Sequence, residues 1–81
     1  MKLKLLYFAQ FREAAGKSEE NLEVIPGASV GEVLSLILKK YPVLVPFGKK
    51  VASAVNREVV PEDRKLKEGD EVAFLTPLSG G

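Results

Sequence analysis

The stretch Ser29-Val30-Gly31-Glu32-Val33-Leu34-Ser35-Leu36-Ile37-Leu38-Lys39-Lys40-Tyr41-Pro42 carries the clearest local signal in the chain. Ser29 followed three residues later by Glu32 is a capping box, and Ala28 with Val33 can form the hydrophobic staple around it. Val30, Val33, Leu34, Ile37 and Tyr41 then recur at helical spacing and make one apolar stripe. Lys39 and Lys40 suit the negative end of the helix dipole, and Pro42 stops the helix. A stripe of this kind is a core face, so whatever flanks it in the chain must supply a surface to cover it.

Upstream, Lys2 to Phe8 alternates as a first strand, with Leu3, Leu5 and Tyr7 on one face and Lys2, Lys4, Leu6 and Phe8 on the other. Gln10 to Ala15 suits a short helix with Gly16 as its C-terminal cap. Ser18 to Val24 is a second strand, expected antiparallel to the first. Ile25-Pro26-Gly27 turns into the core helix. Downstream, Val43 to Lys50 reads as irregular, Val51–Val55 and Glu58–Val60 as short strands joined at Asn56-Arg57, and Glu62–Lys65 as a solvated loop. Leu66 is an anchor before the turn Lys67–Asp70. Glu71 to Leu75 is a last strand, with Val72 and Phe74 turned toward the helix. The order β, short α, β, long α, β, β, β predicts an α+β chain: a mixed sheet of about five strands packed on one main helix, a two-layer solution of the β-grasp type.

With 81 residues the chain suits one domain and one small core, burying about 60–65% of its unfolded surface. The expected division is a folded unit over residues 1–75 and a flexible tail over residues 76–81. Hydrophobic content of 46%, charged content of 28% and a net charge of +1 with the signs interspersed give no footprint for a nucleic acid. The opening apolar run is too short for a signal peptide, and no stretch approaches a membrane span. A cytoplasmic protein is expected.

There is neither Cys nor His, which excludes a thiol nucleophile, a Cys/His zinc site and the usual general base. Gly16-Lys17-Ser18 lacks the earlier glycine of a phosphate-binding loop, since Phe11 occupies that position. Glu19, Glu20 and Glu23 read as glutamates on a solvated strand rather than a metal site. No pair of carboxylates has the local setting for acid–base catalysis. The expectation is a chain without its own active site, its own cofactor or a bound metal.

What remains is Thr76-Pro77-Leu78-Ser79-Gly80-Gly81. Pro77 removes a backbone donor, so regular pairing is expected to stop there. A terminus without side-chain bulk can be threaded into a narrow site, and its carboxylate is ionised at neutral pH. One reading is that Gly81 presents this carboxylate for activation in a partner; the other is that two terminal glycines are only a frayed end. The outward residues bear on this. If the first and last strands are parallel neighbours, Phe8 and Leu75 meet at the end from which the tail leaves, and Val59 could join them. An exposed apolar cluster there is a docking surface. The plainer alternative is that the short helix covers Phe8.

The stretch Leu6-Tyr7-Phe8-Ala9-Gln10-Phe11-Arg12-Glu13, the corner Ala54-Val55-Asn56 and the block Gly69-Asp70-Glu71-Val72-Ala73-Phe74 running through Pro77 to Gly80-Gly81 together resemble the small subunits of molybdopterin synthase, the MoaD-type sulfur carriers of the ubiquitin-like β-grasp class. The resemblance runs end to end. It implies that an adenylating enzyme of the ubiquitin-activating type joins the Gly81 carboxylate to AMP using MgATP, and that a persulfide donor converts it to a thiocarboxylate. It further implies that residues 76–80 thread into the large synthase subunit, where the sulfur passes to cyclic pyranopterin monophosphate. Two small subunits would flank a large-subunit dimer. Phe8, Val59 and Leu75 match positions of apolar partner contact. Leu75-Thr76 departs from the aromatic and proline often found there. Sulfur carriage for thiazole or tRNA thiolation, and ubiquitin-like conjugation to lysines, are the alternatives.

Overall fold

The computed structural model describes residues 1–76. Five strands, β1 (Lys2–Tyr7), β2 (Glu19–Glu23), β3 (Ala52–Val55), β4 (Glu58–Val60) and β5 (Glu71–Leu75), form one sheet in the order β2-β1-β5-β3-β4. β1 and β5 run parallel at its centre, and every other neighbouring pair is antiparallel. α1 (Ala9–Ala15) follows β1 directly, and α2 (Val30–Lys40) precedes a 3-10 helix over Pro42–Phe47. The expected element order holds, with strand ends moved inward by a residue.

α2 forms where its cap requires. The Ser29 Oγ accepts from the Glu32 backbone N–H at 3.2 Å, and the Glu32 carboxylate accepts from the Ser29 N–H at 3.1 Å. Two of the donors that every helix N-terminus leaves unpaired are thereby satisfied. Val30, Val33, Leu34 and Ile37 are buried. They pack with Leu3, Leu5 and Tyr7 of β1, Val55 of β3 and Val72 and Phe74 of β5 in one core cluster. Leu66 is buried as expected, and its N–H donates to the Ala28 carbonyl at 2.9 Å. Gly16 closes α1 in the left-handed region at φ 73°, a conformation open to glycine without a Cβ penalty.

One segment read as irregular is ordered. Pro42–Phe47 is helical because Pro42, which cannot continue α2, sits at the first position of a new helix, where a missing N–H costs nothing. Leu44 is buried in the core while Val43 and Val45 face outward. A second correction concerns Glu20. It does not lie on a solvated face: register pairs it with Leu5, on the helix-facing side with Leu22. There its carboxylate accepts from the Tyr7 hydroxyl at 2.9 Å and from the Lys17 and Lys40 ammonium groups at 2.9 and 3.0 Å. Burial by itself would raise this carboxyl; the hydrogen bonds from Lys17, Lys40 and Tyr7 outweigh it and hold it down to about 2, below the ordinary 4.5. The same contact, added to burial, raises the Tyr7 phenol.

A carboxyl that titrates lower in the folded chain contributes stability that is complete above its unfolded value and is lost as pH falls through its folded one. Thermal unfolding followed between pH 4.5 and pH 2 should therefore show a decline that the Glu20→Gln variant lacks. At neutral pH that variant is expected to cost about 1–2 kcal/mol, the scale of a few charge-assisted bonds partly screened by solvent. Ser53 gives the opposite sign. Its hydroxyl is buried with no hydrogen-bond partner among the described residues, so Ser53→Ala should raise stability by about 1 kcal/mol in urea denaturation, since an unpaired buried hydroxyl carries its whole desolvation cost.

The β3–β4 hairpin turns on two residues, Asn56 at φ 51° and Arg57 at φ 72°, between the pair Val55 and Glu58. Positive φ at both central positions is the type I′ geometry, whose twist matches that of the strands. Asn56 also reaches across the sheet end. Its Nδ2 donates to Asp70 Oδ1 at 3.0 Å, its Oδ1 accepts from the Glu71 N–H at 3.0 Å, and Asp70 Oδ2 accepts from the Lys67 N–H at 2.8 Å. The buried Asp70 is thus satisfied, and two stretches distant in sequence are locked together where β5 begins. No helix among the described residues is long and apolar enough to cross a membrane.

Candidate functional site

Register defines the face of the sheet turned away from α2. Leu6 pairs with Glu19 on β2 and Ala73 on β5, Ala73 with Ala54 on β3, and Ala54 with Val59 on β4. One row therefore crosses the whole sheet as Glu19, Leu6, Ala73, Ala54, Val59. The row on one side contains the pair Lys4 and Glu71, and Lys4 also bridges to Glu19 at 3.3 Å. On the other side lie Phe8 and Leu75, each one residue beyond the paired Tyr7 and Phe74. The face passes from charged to apolar toward the end at which β5 leaves the sheet, as the alternation predicts.

Phe8 terminates β1 but keeps extended angles, φ −130° and ψ 154°, while serving as the N-cap of α1. Its side chain so continues the outward series of Lys4 and Leu6. It is 44% exposed, and Val59 and Leu75 are 70% and 37% exposed. The short helix does not cover Phe8. The reason is the backbone at Ala9, where φ is 47°: this sharp left-handed turn sends α1 over the edge of the core, with Phe11 buried against Phe74 at 5.9 Å between ring centres. Phe11 is thus the aromatic taken inside and Phe8 the one left outside. Ala54 and Ala73 are outward but nearly covered, because small side chains in central strands sit below their larger neighbours. They form the floor of a concavity of about 530 Å³ whose walls include Leu6, Phe8, Val59 and Leu75 and whose far rim carries Lys4, Glu71 and Arg57.

The expected site residues divide accordingly. Phe8, Val59 and Leu75 are brought to one surface. Thr76 follows Leu75 and donates its hydroxyl to Gln10 Oε1 at 2.6 Å. Pro77, Leu78, Ser79, Gly80 and Gly81 lie outside the described residues. Gln10 is a residue to which sequence reasoning gave no role; its proximity to Thr76 depends on the β1–β5 pairing and on the turn at Ala9, neither of which has a local signature. Arg57 reaches the rim from the β3–β4 turn, a placement that its turn position alone does not signal.

Comparison with known proteins accords with this geometry. The molybdopterin synthase sulfur carrier subunit of Chlamydomonas reinhardtii is 45% identical over 83 residues, with all of both chains covered. The small archaeal modifier protein 1 of Methanosarcina acetivorans superposes with a TM-score of 0.81 at 32% identity, over 99% of this chain and 96% of that one. The ubiquitin of Caldiarchaeum subterraneum superposes with a TM-score of 0.68 at 22% identity, over 100% of this chain and 98% of that one, a likeness of fold alone. The architecture is the ubiquitin-like β-grasp. With a family profile matched over residues 5–81, the chain belongs to the ThiS family.

Proposed function

We propose that this chain is the sulfur-carrying small subunit of a molybdopterin synthase, acting in the cytoplasm. The observation that carries the reading is the apolar surface of Phe8, Val59 and Leu75 at the end of the sheet where the chain departs toward Gly81. A body that docks beside its own terminus can deliver that terminus into another protein's site. The end-to-end match, at 45% identity, to a relative named for the same role supports it.

In this reading the Gly81 carboxylate attacks the α-phosphate of MgATP bound by a ubiquitin-activating-type adenylyltransferase. AMP becomes the leaving group on an otherwise poor electrophile. Pyrophosphate leaves as the acyl adenylate forms. The terminal sulfur of a persulfide donor then displaces AMP to give an acyl disulfide, and a thiol cleaves its S–S bond, leaving the thiocarboxylate on Gly81 and a disulfide on the donor. The large synthase subunit receives the apolar surface and the tail, and the sulfur passes to cyclic pyranopterin monophosphate. The chain binds no cofactor of its own. Charge stabilisation at each step belongs to the partners, while this chain contributes reach, slenderness at Gly80-Gly81 and a second contact area. Ordering a six-residue tail costs roughly 6–12 kcal/mol, and hydrogen bonds to it at about 0.5–1.5 kcal/mol each offset only part. The apolar surface supplies the remainder.

Conjugation to lysines is the second reading, favoured by the similarity to an archaeal modifier protein. Intact-mass measurement after incubation with the activating enzyme, ATP and a persulfide donor separates the two. Replacement of one oxygen by sulfur on the C-terminal peptide is the expected result; lysine-linked adducts without a stable thiocarboxylate would overturn the carrier reading.

A further inference from the structure

The backbone ladder of β5 ends at Leu75, which pairs with Ala52. One residue later the Thr76 hydroxyl donates to Gln10 Oε1 at 2.6 Å, across 66 positions of sequence. We infer that Gln10 is a positioning residue for the tail, its amide oxygen holding Thr76 so that the terminus and the Phe8–Leu75 surface are presented to a partner in one register. The inference rests on the carrier reading above.

The support on the Gln10 side is rigid. Gln10 stands in the first turn of α1, between Ala9 in a left-handed turn and Phe11 in the core. A non-glycine residue keeps φ at 47° only where its surroundings impose it, and here they include the Phe11–Phe74 contact, which ties α1 to β5. The geometry on the Thr76 side is equally restricted. A β-branched side chain has few χ1 choices, and a residue preceding proline is confined to extended backbone, so holding the hydroxyl orients the main chain of Thr76. Pro77 then has no N–H with which to extend the ladder. The Gln10 contact is therefore the last fixed point that the described residues give the chain before Pro77.

The test is a double-mutant cycle on the full chain. Gln10→Met keeps length without the acceptor, Thr76→Val keeps shape without the donor, and Gln10→Glu restores an acceptor. ATP–pyrophosphate exchange by the activating enzyme is measured against carrier concentration. Each single variant should raise KM about two- to tenfold, the fold-change of one ordinary hydrogen bond, with kcat unchanged. The double variant should be no worse than either single one, and Gln10→Glu should return KM toward wild type. In the free chain, the {1H}-15N NOE of the Thr76 amide should fall in both single variants. Additive effects, or KM and NOE values equal to wild type, would overturn the inference. Absence of exchange with the wild-type chain would instead count against the carrier reading, and the NOE cycle would then decide the role of Gln10 by itself.

Discussion

Deletion of Gly81 is expected to abolish adenylation of the chain end, with a loss of more than about 10²-fold, while the unfolding midpoint stays at its wild-type value. The truncated chain would end in Gly80, whose carboxylate has the same chemistry, so the variant isolates reach from reactivity. One residue of extended chain spans about 3.3–3.6 Å, and reacting atoms must come within about 3–3.5 Å of each other. A body already seated on its partner cannot make up that distance without breaking the seat. Stability is spared because the core runs from Leu3 to Phe74 and the sheet ladder closes at Leu75. Activation of the truncated chain at the wild-type rate would rule out chemistry at this terminus.

Phe8→Asp should weaken binding of the large partner subunit about 30-fold or more, the effect of a lost aromatic anchor worth at least about 2 kcal/mol. The usual objection to such a substitution is that the variant unfolds, and here the structure predicts the reverse. Phe8 is outside the core cluster, and it caps α1 without a side-chain cap bond. Aspartate is a favoured N-cap residue, worth up to about 1 kcal/mol over a side chain that cannot accept. The variant should therefore melt at or slightly above the wild-type temperature while losing affinity. Calorimetric titration against the large subunit together with a thermal scan checks both signs. An unchanged Kd would remove the assignment of this surface.

The proposed division of labour explains why so small a chain is sufficient. A sheet of five short strands and one principal helix has one core. What the fold does supply is a fixed relation between three things: an apolar face, the parallel β1–β5 pair beneath it, and the exit of β5. The hydrogen bonds joining Asn56, Asp70 and Glu71 hold the far end of β5 in place. The Phe11–Phe74 contact holds the near end. In the proposed function, partners meet a platform held at both ends of β5.

Where physical signals are local, the amino-acid sequence alone determined the outcome. Ser29 and Glu32 set the start of α2 because their hydrogen bonds lie within one turn, and Gly16 set the end of α1 for a comparable reason. Alternation on β1 and β5 assigned Leu5, Tyr7, Val72 and Phe74 to the core and Leu6, Phe8 and Leu75 to the outside. Glu20 shows the limit. Its parity with Leu22 points it inward, yet a carboxylate there is tolerable only because Tyr7, Lys17 and Lys40 converge on it, and Lys40 arrives from the far end of α2. Pro42 permits a new helical start at Pro42–Phe47, but the burial of Leu44 that accompanies it has no sequence period of its own. The meeting of Gln10 with Thr76, and the row from Leu6 to Val59, were decided only by strand order. A residue can state which face it prefers; which distant residue shares that face depends on how the strands are paired.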